Sequence, residues 1–172
     1  MHHPVCATAA IVLYVVGLIP HGQSTSQKKS LRELKGVTVT VRVNPKAERV
    51  GLMESQIRAD VEQQLRLAGV HLLGHPRDIL LVGGRRVNSF PPFLSVLVDV
   101  TPRGAKARAY AVEVVVSQDA ADPQDPRAKT SVTTWRVTKT GTYNRRRLKE
   151  VRRDIEIGVD QFISDYVAVN AK

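Results

Sequence analysis

LKEVRRDIEIGVDQFISDYVAV, residues 148–169, sets Leu148, Val151, Ile155, Val159, Phe162, Tyr166 and Val169 at steps of three and four. Apolar side chains at that spacing align on one face of an α-helix. The segment therefore predicts a long helix whose apolar stripe a second layer must cover. Glu156, Asp160 and Asp165 fall between the stripe positions and are expected to restore a mixed, solvated surface.

The covering layer is written upstream in a different period. Val37–Val43, VTVTVRV, alternates apolar with polar or charged residues, the signature of a strand with one face buried, and Asn44-Pro45 ends it. Ile57, Val61, Leu65 and Ala68 mark a short amphipathic helix over roughly Leu52–Ala68, with Gly69 placed for a left-handed C-cap. The brief apolar run Ile79–Val82 is limited by Gly83-Gly84-Arg85-Arg86 and Pro91-Pro92. Phe93–Val100, Tyr110–Val116 and Ser131–Thr138 alternate again, and the Asp- and Pro-rich stretch Asp119–Lys129 between the last two reads as a long exposed hairpin connection. The order is β-α-β-β-β-α: an α+β two-layer sandwich, with a mainly antiparallel sheet and both helices on one face.

A chain of 172 residues, 42% hydrophobic and 24% charged, has room for one domain with a real core. Its net charge of +10 and pI near 10.2 favour anionic partners without choosing among them. Much of that charge is local. Lys139–Arg153 holds seven Lys or Arg against the single acid Glu150.

Val5–Ile19 is fifteen residues without a charge, followed by Pro20 and the small polar run HGQSTSQ. That length suits the core of a signal peptide and is short for a bilayer span. Residues 1–26 are accordingly read as an export signal, 27–35 as a linker and 36–170 as a single α+β domain. Gly22-Gln23-Ser24 and Ser24-Thr25-Ser26 both offer small residues for cleavage. The rival is an uncleaved short membrane anchor, for which Lys28, Lys29 and Arg32 would hold the body of the protein in the cytoplasm. Cys6 is the one cysteine, so a chain cleaved after the signal has no disulfide, thiolate metal site or Cys nucleophile.

The pairing of IRADVEQQLRLAGV after a first strand with a final helix ending FISDYVAVN resembles small exported bacterial proteins of no assigned function. The element order is also similar to that of the amino-terminal domain of the periplasmic protein TolB. The resemblance covers most of residues 31–172, and its matched residues are mainly core positions. It implies a periplasmic α+β module acting by protein contact, with no catalytic residues to carry over. No propeller repeat follows, so the function of TolB itself is not implied.

The motifs for chemistry are sparse. His71 and His75 have the spacing of two zinc ligands but lie in a loop, so no metal site is expected there. Asp119, Asp122 and Asp125 lack the alternate-residue pattern of a calcium loop. Gly83–Arg86 lacks the spacing of a P-loop. Asp99 and Glu113 project from a solvated sheet face, and Trp135 is expected between sheet and helix rather than stacking on a ligand. No cofactor and no catalytic residue are assigned.

What stands out is the start of the last helix. Phased by its apolar stripe, it turns Arg146, Lys149 and Arg153 outward as one ridge, while Arg145 and Arg152 flank the stripe. Cations at a helix N-terminus oppose the macrodipole, which makes the ridge the candidate anion or partner contact. The expected function is an exported, periplasmic or cell-envelope, non-enzymatic module that binds a protein or an anionic envelope component, through this ridge or an exposed sheet edge. A basic nucleic-acid-binding protein is one alternative and an envelope hydrolase another.

Overall fold

The computed structural model describes residues 24–74, 91–103, 107–121, 129–143 and 148–171. In chain order these form α1 (Thr25–Lys29), β1 (Thr38–Val43), α2 (Pro45–Glu48), α3 (Glu54–Leu67), β2 (Phe93–Arg103), β3 (Ala107–Ala121), β4 (Lys129–Tyr143) and α4 (Leu148–Asn170). The α+β architecture is the expected one. Four strands lie side by side in chain order in one mixed sheet, with α3 against β1 and α4 against β3 and β4.

Alternation in the strands becomes rows across the sheet. Register places Val39, Leu94, Val116 and Trp135 in one row, and Val41, Val96, Val114 and Val137 in the next. Of these, all but the half-buried Val137 are buried beneath the helices. Burying each such side chain is worth about 1.5 to 3 kcal/mol, so the row pattern fixes which face the helices take. The other face carries Thr40, Arg42, Ser95, Asp99, Glu113, Arg136 and Thr138, with a Thr40–Ser95 hydroxyl hydrogen bond of 2.8 Å.

β1 runs parallel to β2, whereas the other two pairs are antiparallel. A parallel pair needs a crossover, and α3 lies in it. α3 ends at Leu67 with Ala68 as its C-cap, and Gly69 follows in the left-handed region at φ +74. β3 and β4 are longer than the alternation suggested, because polar residues continue the ladder: Asp119 pairs with Ser131 and Ala120 with Thr130. The expected connection Asp119–Lys129 is thus strand at both ends. The run Ile79–Val82 lies outside the described residues.

Two expectations fail for the same reason, that residue type was weighed above position. The segment 27–35 is not a linker: Leu31 is fully buried, Leu34 nearly so, and both join the core. Asp165 is not on the surface; it is 1% exposed, on the buried face of α4 near its C-terminal end. Gly158 occupies the same face, so the helix comes close to the sheet.

Candidate binding surfaces

Strand β4 is an edge of the sheet, and a register shift between Val116 and Ser117 interrupts its pairing with β3. Such a bulge leaves a residue unpaired in the ladder. Here Thr134 is held otherwise: its carbonyl accepts from Ser30 Oγ at 3.1 Å and its hydroxyl from Gln118 Nε2 at 2.7 Å. Gln118 Nε2 also donates to Ser30 O at 2.9 Å, so the bulge fastens the N-terminal segment to the sheet. The same segment is tied to the end of α4, where Tyr166 Oη donates to Leu34 O at 2.9 Å and Asn170 Nδ2 to Leu31 O at 2.8 Å. Asn170 Oδ1 accepts from Glu33 N at 2.9 Å.

Beneath this strap lies a buried carboxylate. Asp165 Oδ2 accepts from Trp135 Nε1 at 3.1 Å, and Oδ1 from Gln161 Nε2 at 3.2 Å. Lys28 Nζ stands 2.9 Å from Oδ1 and completes an ion pair with one half-exposed and one buried partner. Trp135 is fully buried, edge-on to Phe162 at 5.6 Å, as expected for packing between sheet and helix. The network locks α1, β4 and α4 together.

At the other end of α4 lie the cations. Arg146 falls outside the described residues. Lys149 and Arg153 are exposed one turn apart, as the helical phase predicts, and neither makes an ion pair among the described residues. Arg152 flanks the stripe but is committed to α3, donating to Gln56 Oε1 at 2.8 Å and to Asp60 Oδ2 at 3.4 Å. It also reaches Gly51 O at 3.4 Å.

That last contact marks an apposition no periodicity shows. Asn44 caps α2 by accepting from Ala47 N at 2.8 Å, Pro45 supplies the first helical φ, and Ala47 is buried. The turn after α2 then abuts the start of α4, where a Cβ on Gly51 would lie 3.8 Å from Leu148 Cδ1. Lys46 and Arg49, both exposed, are thereby brought to the same end of the molecule as Lys149 and Arg153. Met53, at the N-cap of α3, is 44% exposed. Glu48, exposed, and Glu150, half-buried, are the acids of these same turns.

Asp154 is turned inward to the sheet. Tyr110 Oη donates to its Oδ2 at 2.5 Å, and Tyr143 stacks edge-on to Tyr110 at 6.0 Å. Burial above all, then the hydrogen bond to Asp154 and the charges of Asp154 and Glu150, push the Tyr110 pKa from 10.0 up to about 12. A folded pKa above the unfolded one means this stabilisation is intact below pH 10 and is lost as pH rises through 10 to 12. The loss amounts to about 2 kcal/mol by pH 12. In urea titrations the wild type should therefore lose about 2 kcal/mol more than Tyr110→Phe between about pH 9 and pH 12. Equal losses would assign the alkaline transition to other groups.

The remaining candidates are quiet. His71 is exposed in a loop, and His75, Asp122, Asp125 and Gly83–Arg86 lie outside the described residues. Among the described residues no three His, Cys, Asp or Glu side chains gather to hold a metal ion. Asp99 accepts from Asn44 Nδ2, and Glu113 lies 4.0 Å from Arg136, so the two acids are tied to separate partners on the sheet face. A cleft beside Thr38 and Leu72 is bordered by Glu62 and Arg66, already paired with each other at 2.7 Å. No described helix is long and apolar enough to cross a membrane. No protein-family model matches the chain, and no curated protein matches it.

Proposed function

We propose that the chain is an exported, periplasmic or cell-envelope, non-enzymatic binding module, whose partner is a protein or an anionic envelope component. The observation that carries this reading is the uncharged run Val5–Ile19 ahead of a fold whose core residues, among the described residues, all lie at Leu31 or later. Removing a leader takes none of those core residues away. Ser24 Oγ accepts from Gln27 N to cap α1, and Lys28 pairs with Asp165, so cleavage at either candidate site spares the ion pair that fastens the strap. The element order, similar to that of a periplasmic domain, supports the same reading.

A nucleic-acid-binding protein is the second reading, favoured by the net charge of +10. Against it, Trp135, Phe162, Tyr110 and Tyr143 are buried, which leaves those rings unable to stack on bases. Intact mass of the purified protein, with fractionation of a tagged copy, tests the proposal. A periplasmic or envelope protein that has lost its leader and keeps Lys28 is the expected result. Wholly cytoplasmic protein retaining Met1 would overturn it.

A further inference from the structure

The cations of α2 and of α4 belong to elements about a hundred residues apart in the chain, yet the fold sets them at one end of the molecule. Lys46, Arg49, Lys149 and Arg153 are all exposed, and none makes an ion pair among the described residues. The exposed acids near them are Glu48 and Asp60, of which Asp60 is paired with Arg152, while Asp154 is held by Tyr110. Met53 exposes a large apolar side chain at the start of α3, and Ile157 does so on α4 one turn beyond Arg153, beside the exposed acid Glu156. Cations beside exposed apolar side chains suit the interface of an anionic bilayer, where the charges meet headgroups and the apolar groups enter the acyl boundary.

We infer that this end of the fold docks on an anionic phospholipid surface. The inference rests on the binding-module reading and names its partner. Position supports it as well. Lys28 meets Asp165, whereas Lys149 lies sixteen residues earlier in α4, about 24 Å away along the helix axis at 1.5 Å per residue. Residues 24–35 therefore meet α4 at the far end of the helix from the cations. Nucleic acid fits this end less well, because among the described residues no exposed aromatic ring accompanies the charges and the exposed methionine would have no role.

The test is co-sedimentation of the chain, as isolated from cells, with vesicles of neutral phosphatidylcholine or with 30% phosphatidylglycerol. Binding to the anionic vesicles alone, falling as salt is raised, is the expected result. Each cation near such a surface is worth about a five-fold factor in partitioning, so Lys46→Gln/Arg49→Gln and Lys149→Gln/Arg153→Gln should each weaken binding about 25-fold. Lys29→Gln/Arg32→Gln removes the same charge at the other end and should change binding less than about three-fold at 0.15 M salt. Met53→Ser should weaken binding without altering its salt dependence. All variants should keep the wild-type melting temperature, because every side chain changed is exposed.

Failure to bind anionic vesicles, an equal loss in the control pair, or tighter binding to a DNA duplex at the same salt would each overturn the inference. An uncleaved cytoplasmic chain that still binds vesicles through these four residues would overturn export alone and leave the docking surface standing.

Discussion

Asp165→Ala should lower the unfolding free energy by about 3 kcal/mol, with a melting temperature lower by roughly 10 °C. The carboxylate is 1% exposed and is the acceptor for Trp135 Nε1, Gln161 Nε2 and Lys28 Nζ. Its removal leaves the indole N–H buried without a partner and a cavity at the helix–sheet contact, and each adds to the cost. Lys28 contributes less, because its side chain is 41% exposed and the solvent screens the pair. Lys28→Gln should accordingly cost no more than about 1 kcal/mol. Asp165→Asn, which keeps an acceptor for the indole, should fall between the two. In Asp165→Leu/Trp135→Phe both polar partners are apolar, and the pair should cost less than the sum of the single changes. Urea denaturation measures all of these. A loss below about 1 kcal/mol for Asp165→Ala would show that the node is not what joins the strap, the sheet and the helix.

The second large effect is steric. A Cβ at Gly158 would lie 2.7 Å from Val114 Cγ2, and Val114 is fully buried in the middle of the sheet. Gly158→Leu should therefore destabilise by about 3 kcal/mol or more, because the helix must lift from β3 or the valine must leave its rotamer. Gly158→Ala is a gentler probe. In an exposed helix the change would gain up to about 1 kcal/mol in propensity, and here the clash should reverse that sign. Trimming the neighbour in Val114→Ala/Gly158→Ala makes room for the new methyl, so the double variant should be more stable than the two single effects predict. Additivity within about 0.5 kcal/mol would mean that the close approach is not what selects glycine.

Both positions show where sequence legibility ends. The apolar residues of α4 announce the helix and its buried side, and the strands of the sheet announce themselves by alternation. Yet the series Val151, Ile155, Gly158, Phe162, Asp165 and Val169, in steps of four and three, runs along the buried face. Two of its members are not large apolar residues, so a reading by residue type passes over them. A tryptophan expected in the core offered the missing signal, because a buried indole N–H needs an acceptor and an acid on the facing helix can supply it. The strap was hidden for a related reason: amid polar neighbours, Leu31 and Leu34 are too few to show a period. For the basic end the outward direction of Lys149 and Arg153 was legible from the helical phase. The arrival of Lys46 and Arg49 beside them was not, since it depends on how α2 packs against the start of α4.

The fastening of residues 24–35 has a consequence for the order in which the molecule can be completed. The groups that hold this segment are Gln118 and Thr134 in the sheet and Asp165, Tyr166 and Asn170 on α4, most of them more than a hundred positions further along the chain. A chain made from its N-terminus therefore cannot close the strap until β4 and α4 have followed it, and until then Leu31 lacks the cover it has in the folded core. Contacts of such wide separation form late, because the entropy of closing so long a loop is lost before they can form.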